Sequence, residues 1–187
     1  IINYSLEEQS IDGCSYCLNK SFYFDKVISC VEYTEISKKI VFGLKYNNKT
    51  YLSKYIATIM KEKLDLENIK FNYILFVPLH KKRLRQRGFN QAELLAKELS
   101  RYAGIPVDTA ILKKCHATRS QKKLDAAERK KNLQKAFQVV GNPSGMRILL
   151  IDDVYTTGST MDVLAKLLLE KGASHVYFLT LCIGNNR

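Results

Sequence analysis

The chain has 187 residues, room for one full domain and a small appendage at roughly 100 to 200 residues per domain. With 46% apolar and 26% charged residues it has the composition of a globular protein that buries a core, which excludes a disordered or collagen-like chain. Lys+Arg 30 against Asp+Glu 18 gives a net charge of +12, and the expected partner of such a field is a polyanion.

No apolar run reaches the ~18 residues that cross a bilayer, and the first residues, IINYSLEEQ, carry neither the basic start nor the apolar stretch of a secretion signal. The reading is a soluble, cytoplasmic protein without membrane insertion. Cys14, Cys17, Cys30, Cys115 and Cys182 are an odd number in such a chain, which argues against a disulfide framework. Cys14 and Cys17 have the spacing that clamps one metal across a tight turn. Tetrahedral Zn2+ needs four ligands and no second C-x-x-C follows, so a structural Zn2+ site is incomplete in this sequence. Cys30 is either a third ligand or a small buried group in a strand.

In chain order, Lys26 to Tyr33 is β-branched and short, as in a strand. Glu35 to Tyr46, with Ile36, Ile40, Val41 and Leu44 at helical spacing, predicts a helix, as does Leu52 to Leu64 with Tyr55, Ile56, Ile59, Met60 and Lys63. Tyr73 to Val77 is a continuous apolar run, as in a strand of a parallel sheet covered on both faces, and Pro78 ends it. Asn90 with Glu93 opens a helix whose face of Ala92, Leu95, Leu99 and Tyr102 runs to Gly104 and Pro106.

Val107 to Lys114 reads as a strand and His116 to Lys131 as a basic, mobile loop with a helix starting near Ala126. A turn at Gly141 to Gly145 precedes a second fully apolar strand, Arg147 to Ile151. Ser159 with Asp162 predicts a capping box, followed by a helix with Met161, Leu164, Ala165 and Leu168 inward, ending at Gly172. Val176 to Leu181 is the last strand. Strands alternating with helices imply an α/β fold with a mostly parallel sheet flanked by helices.

The charge is not spread evenly. Counting signs along the sequence gives +1 for Ile1 to His80, +10 for Lys81 to Lys131 and +1 for Asn132 to Arg187. The central block also holds every Arg but Arg147 and Arg187, and guanidinium suits planar, bidentate phosphate recognition. A diphosphate-bearing metabolite and a nucleic acid backbone both fit such a block. Phe89 and Tyr102 are the aromatics beside it; Tyr102 is expected in the core and Phe89 in packing, so nucleic acid contact would be backbone-driven and steeply salt-dependent.

The segment from Ile148 through Asp152, Asp153, Val154, Tyr155, Thr156, Thr157, Gly158, Ser159 to Thr160 concentrates chemistry. A buried strand ends in two adjacent carboxylates, and a hydroxyl-rich loop then enters a helix. In open α/β sheets ligands bind at the carboxyl ends of the strands. A helix start offers free N–H groups and partial positive charge, Gly158 admits close approach, and the hydroxyls add donors. That is a phosphate cradle, and the carboxylates beside it suit the vicinal hydroxyls of a ribose. A ribose 5-phosphate presents both. No Walker or dinucleotide glycine motif occurs.

This string resembles the phosphoribosyl diphosphate signature of type I phosphoribosyltransferases. Val77-Pro-Leu-His-Lys-Lys-Arg83 followed by Arg87-Gly-Phe-Asn-Gln91 is similar to the ComF branch, the resemblance running from about Val27 to Cys182. It implies a type I phosphoribosyltransferase-like domain over 26–187, preceded in 1–25 by the remnant of a zinc knuckle that keeps only Cys14 and Cys17. It implies that Asp152 and Asp153 hold the ribose hydroxyls, with Val154 and Tyr155 in the same string, and that Thr156, Thr157, Gly158, Ser159 and Thr160 hold the 5-phosphate. Leu79, His80 and Lys81 would form the pyrophosphate loop, with Arg83 and Arg87 in the branch motif, while Arg119, Gln121, Lys122 and Lys123 sit on a closing hood.

The implied ligand is Mg2+ with phosphoribosyl diphosphate, and the implied role is in DNA uptake during natural transformation, with single-stranded DNA and a competence helicase as partners. The other reading is a non-enzymatic accessory of DNA uptake that senses a metabolite or binds single-stranded DNA. For His80 the residues leave ligand contact and loop structure open, and for Tyr155 ligand cover and packing. Cys115 and Cys182 read as buried thiols.

Overall fold

A computed structural model of the chain describes residues 21–47, 49–116 and 132–184. Six strands and five named helices follow in the order β1 (Lys26–Glu32), α1 (Glu35–Tyr46), α2 (Leu52–Glu67), β2 (Tyr73–Phe76), α3 (Lys81–Arg87), α4 (Gln91–Ala103), β3 (Leu112–Lys114), β4 (Phe137–Val139), β5 (Arg147–Tyr155), α5 (Ser159–Glu170) and β6 (His175–Ile183). The main sheet has the order β1-β6-β5-β2, with every pairing parallel. All four strands therefore end at one edge. β3 and β4 form a separate antiparallel pair.

The expected mostly parallel α/β sheet is present, and its layers follow from the apolar pattern. In β5, Ile148 and Leu150 pack into a core with α5, Leu112 of β3 and Phe137 of β4. Leu149 and Ile151 face the opposite core, with Val41 and Leu44 of α1, Met60 of α2 and Leu95 of α4. These four β5 residues are fully buried, each contributing ~1.5 to 3 kcal/mol by removal from water. This is why the run has no polar member and why β5 lies inside the sheet.

The caps are legible locally. Thr34 and Ser37 form a reciprocal capping box at the start of α1. Gly104, in left-handed conformation, closes α4. Among the described residues no helix is long and apolar enough to cross a membrane.

Several expectations need correction. Val107 to Lys114 is not one strand: Val107 makes an isolated parallel bridge to Ile74 that covers the β2 edge, and β3 begins at Leu112. Asp108 accounts for the break, its carboxylate accepting the N–H groups of Ala110 and Ile111, a local turn that competes with the ladder. Ile36, Ile40, Tyr55 and Ile59 are exposed, because α1 and α2 bury narrower faces than their apolar residues suggest. Tyr102 is 47% exposed rather than in the core. Cys182 is buried, but Cys115 is exposed beyond the end of β3.

Candidate functional site

β5 does not stop at Ile151. It continues through Tyr155, pairing with β6 as far as Ile183, so both acids belong to the strand. Asp153 is 5% exposed and turns toward α1, where the Lys45 ammonium lies 2.7 Å from its Oδ2 without the alignment of a hydrogen bond. Asp152 keeps a partly exposed side, and its Oδ1 accepts the Asp153 N–H at 2.8 Å. Desolvation, then the charge of Asp153, push the Asp152 carboxyl up to about 8, against the opposing pull of that N–H and of Lys45. The pair thus has one ammonium for two carboxylates.

Beyond Tyr155 the chain makes the turn 156–158 into α5. Gly158, not Ser159, is the N-cap, in left-handed conformation at φ 75° and with no side chain to cap the helix, and the Ser159 N–H donates to Thr157 Oγ1 at 3.4 Å. The expected capping box fails because Asp162 is engaged elsewhere: its Oδ1 accepts the Tyr23 N–H at 2.8 Å. Thr157 Oγ1 and Ser159 Oγ lie 2.9 Å apart at the exposed rim. A Cβ on Gly158 would stand 2.7 Å from the Tyr155 hydroxyl oxygen, so the turn requires glycine for both its dihedral and its space. Tyr155 is 2% exposed and packs in the α5 core, beneath this turn.

The neighbouring junction follows β2. Phe76 pairs with Ile151, and the Val77 N–H donates to the Ile151 carbonyl at 3.0 Å, so the turn at Pro78, Leu79 and His80 stands beside Asp152. His80 caps α3, its Nδ1 accepting the Lys82 N–H at 3.3 Å. α3 carries Lys81, Lys82, Arg83, Arg85 and Arg87 without an acid and buries none of its residues. Asn90 ties this excursion down: its Nδ2 donates to the Val77 carbonyl at 3.0 Å and its Oδ1 accepts the Ala92 N–H at 3.1 Å. The Arg-Gly-Phe-Asn-Gln element thereby has a structural task. Gly88 ends α3 in left-handed conformation, Asn90 returns the chain to β2, and buried Gln91 accepts from Arg87.

A cavity of about 510 Å³ lies between this turn and the β3–β4 pair, with Pro78, Leu79, Lys81, Lys114 and Cys115 in its wall. Burial and then the Arg83 charge hold the Lys114 ammonium below its usual pKa, while the Asp152 carboxylate pulls the other way. Lys114 thus links the two junctions electrostatically.

Of the expected site residues, the structure brings Asp152, Asp153, Thr156, Thr157, Gly158, Ser159 and Thr160 together at one junction and Leu79, His80, Lys81 and Arg83 at the next. Val154 packs toward the α1 side, and Arg87 turns to α1 and Gln91. Arg119, Gln121, Lys122, Lys123, the helix start near Ala126, Cys14 and Cys17 lie outside the described residues. Among the described residues no three His, Cys, Asp or Glu side chains converge on a metal position. Sequence reasoning missed Lys45 and Lys114. Lys45 follows buried Leu44 on α1, a position that only the packing of α1 on the strand ends makes meaningful.

Known proteins resemble this chain along most of its length. The phosphoribosyl transferase domain model matches residues 84–187. The chain is 32% identical over 174 residues to DNA utilization protein YhgH of Salmonella typhi, covering 90% of this chain and 77% of that protein. It is 31% identical over 171 residues to Competence protein F of Haemophilus influenzae, covering 87% and 75%. With Competence protein ComFC of Bacillus subtilis it shares 42% identity over 97 residues, 51% of this chain and 38% of that one. A signature carried on a strand end, a turn and a glycine-capped helix, with relatives matched along most of their length, places this chain in the ComF branch of the type I phosphoribosyltransferase family.

Proposed function

We propose that the chain binds Mg-phosphoribosyl diphosphate across the two junctions and transfers the sugar phosphate to a nucleophile. The observation that carries this reading is the Val77–Ile151 hydrogen bond, which sets a pair of carboxyl groups and a glycine-capped helix start beside a turn that leads into a cation-rich helix. Asp152 and Asp153 accept the ribose hydroxyls, and the 156–160 amides and hydroxyls take the 5-phosphate. Lys81, Arg83 and Lys114 face the diphosphate, with Leu79 and His80 shaping its loop. Tyr155 and Val154 support the cradle from within.

As the C1–oxygen bond breaks, its electron pair leaves on pyrophosphate. The cations stabilise that charge and the Asp pair favours the positive sugar. A hood carrying Arg119 and Gln121 would exclude water. The donor set suits Mg2+: the hard oxygens of two adjacent carboxyl groups, of which Asp152 would give up its proton to the bound cation. Asp152 would hold the ion along with the ligand's own oxygens, and the ion would neutralise the diphosphate.

The names of the relatives, DNA utilization and competence, support a role in DNA uptake; a place in the cytoplasm and a competence helicase as partner complete the proposal. Residues 26–187 form the transferase-like domain in this reading, and Cys14 and Cys17 belong to a structural Zn2+ knuckle in 1–25. In the second reading the pocket senses the metabolite without transfer.

Calorimetric titration of Mg-phosphoribosyl diphosphate into the parent and into Asp152→Asn/Asp153→Asn tests the site. The expected result is binding by the parent and its loss in the variant; equal heats would overturn the assignment. Pyrophosphate release with added nucleophiles then separates a transferase from a sensor.

A further inference from the structure

The outer face of α1 holds features that neither the core nor the pentose pocket uses. Phe42 and Tyr46 are 54% and 61% exposed, and their rings stand together with centroids 4.7 Å apart. The Arg87 guanidinium from the end of α3 lies 5.0 Å from the centroid of the Tyr46 ring. Beside Phe42 runs an open groove of about 370 Å³ whose wall includes Lys38, Lys39, Asn47 and Lys49. Lys38 pairs with Glu35 at 3.3 Å. Among the described residues, no carboxylate pairs with Lys39, Lys49, Lys82, Arg85 or Arg87.

The core does not account for the two exposed rings or the cations beside Phe42, since α1 buries Ser37, Val41, Gly43 and Leu44 instead. Two adjacent exposed rings bordered on both sides by unneutralised cations have the chemistry of single-stranded nucleic acid: ring faces for unpaired bases, ammonium and guanidinium groups for the backbone. A duplex keeps its bases stacked on one another and offers no free face to a ring. An acidic peptide would satisfy the cations and leave the rings unused.

We infer that the outer face of α1, with the end of α3, is a platform for single-stranded nucleic acid, with bases on Phe42 and Tyr46 and phosphates on Lys39, Lys49 and Arg87. The aromatics come not from the basic block of the sequence but from a helix folded against it. The inference rests on the DNA-handling part of the proposed function, not on its transfer chemistry. Lys45 faces Asp153 while its neighbour Tyr46 faces outward, so platform and pocket occupy different sides of one helix.

The test is fluorescence anisotropy of the full chain with a labelled oligothymidylate of about twenty nucleotides, set against the same length of duplex and against polyglutamate. Phe42→Ala/Tyr46→Ala is expected to weaken single-strand binding at least about tenfold with its salt slope unchanged, because stacking is worth ~1 to 3 kcal/mol per base. Lys39→Glu/Lys49→Glu is expected to weaken binding and lower the salt slope by about 1.4, two phosphates at ~0.7 each. Undiminished binding by the aromatic variant, equal affinity for duplex, or equal affinity for polyglutamate would overturn the platform. Both variants change exposed positions, and their calorimetric response to Mg-phosphoribosyl diphosphate should match the parent, so failure here and failure of the pocket are separate outcomes.

Discussion

The two junctions at the carboxyl edge of the sheet are neighbours built on opposite plans. After β5 the functional groups are drawn inward: Asp153 is buried against Lys45, Asp152 is desolvated, and Gly158 closes over Tyr155. After β2 they are turned outward, since α3 buries no residue and carries five cations without an acid. The difference separates two currencies. Changes at the β5 junction disturb buried groups and register in folding as well as in binding, whereas changes on α3 register in binding alone.

Lys45→Met sharpens this contrast most. It leaves the buried Asp153 carboxylate without its ammonium, and breaking a buried pair from one side costs about 3 to 5 kcal/mol. Denaturant titration should show a loss near the lower end, about 3 kcal/mol, because Lys45 retains some exposure. A loss below about 1 kcal/mol, the range of surface pairs, would mean that water reaches Asp153 and that the inward plan is wrong.

The next effect is one of pH. In the unfolded chain the Asp152 carboxyl titrates near about 4, while in the folded protein it is raised to about 8. Between these values the folded state holds a proton that the unfolded state has lost. This site therefore favours folding at the acidic end, and its contribution declines as pH rises toward about 8. Melting temperatures of the ligand-free parent and of Asp152→Asn, compared at pH ~5 and ~8, should show a steeper fall in the parent. Parallel profiles would place Asp152 in water and remove the distinction between the junctions.

How far each region was legible in the sequence follows the same division. The β5 run, the α1 and α4 boundaries and the glycine-bearing turn were readable because periodicity, caps and a motif are local properties. The acids read as the end of the strand, as they are, but the apolar run does not show that the strand continues past them to Tyr155, since that extension comes from β6 running on to Ile183. Ser159 looked like a cap because the hold of the Tyr23 N–H on Asp162, from far away in the chain, leaves no local trace. α3 went unread since a seven-residue helix with no buried face has no apolar period. Lys45, Lys114 and the Arg87–Tyr46 contact are illegible for a common reason: each acquires its neighbours only when separate elements dock, whereas Phe42 and Tyr46, four residues apart on one helix, are a local pair.

Lys81→Ala/Arg83→Ala gives the smallest stability effect and the sharpest break between the regions. Both side chains are exposed, and exposed substitutions usually fall within about 0.5 kcal/mol of the parent. Arg83 also helps hold the Lys114 ammonium below its usual pKa, so its removal relieves a repulsion that the folded chain sustains. Denaturation midpoints should stay level or rise slightly. Binding should move the other way, since two cations facing a diphosphate contribute on the order of tenfold or more in affinity through charge-assisted contacts. If the variant unfolds early, by more than about 1 kcal/mol, α3 is bracing the sheet and the outward plan fails. If it folds normally and binds Mg-phosphoribosyl diphosphate as tightly as the parent, Lys81 and Arg83 do not face the diphosphate and that part of the pocket assignment falls.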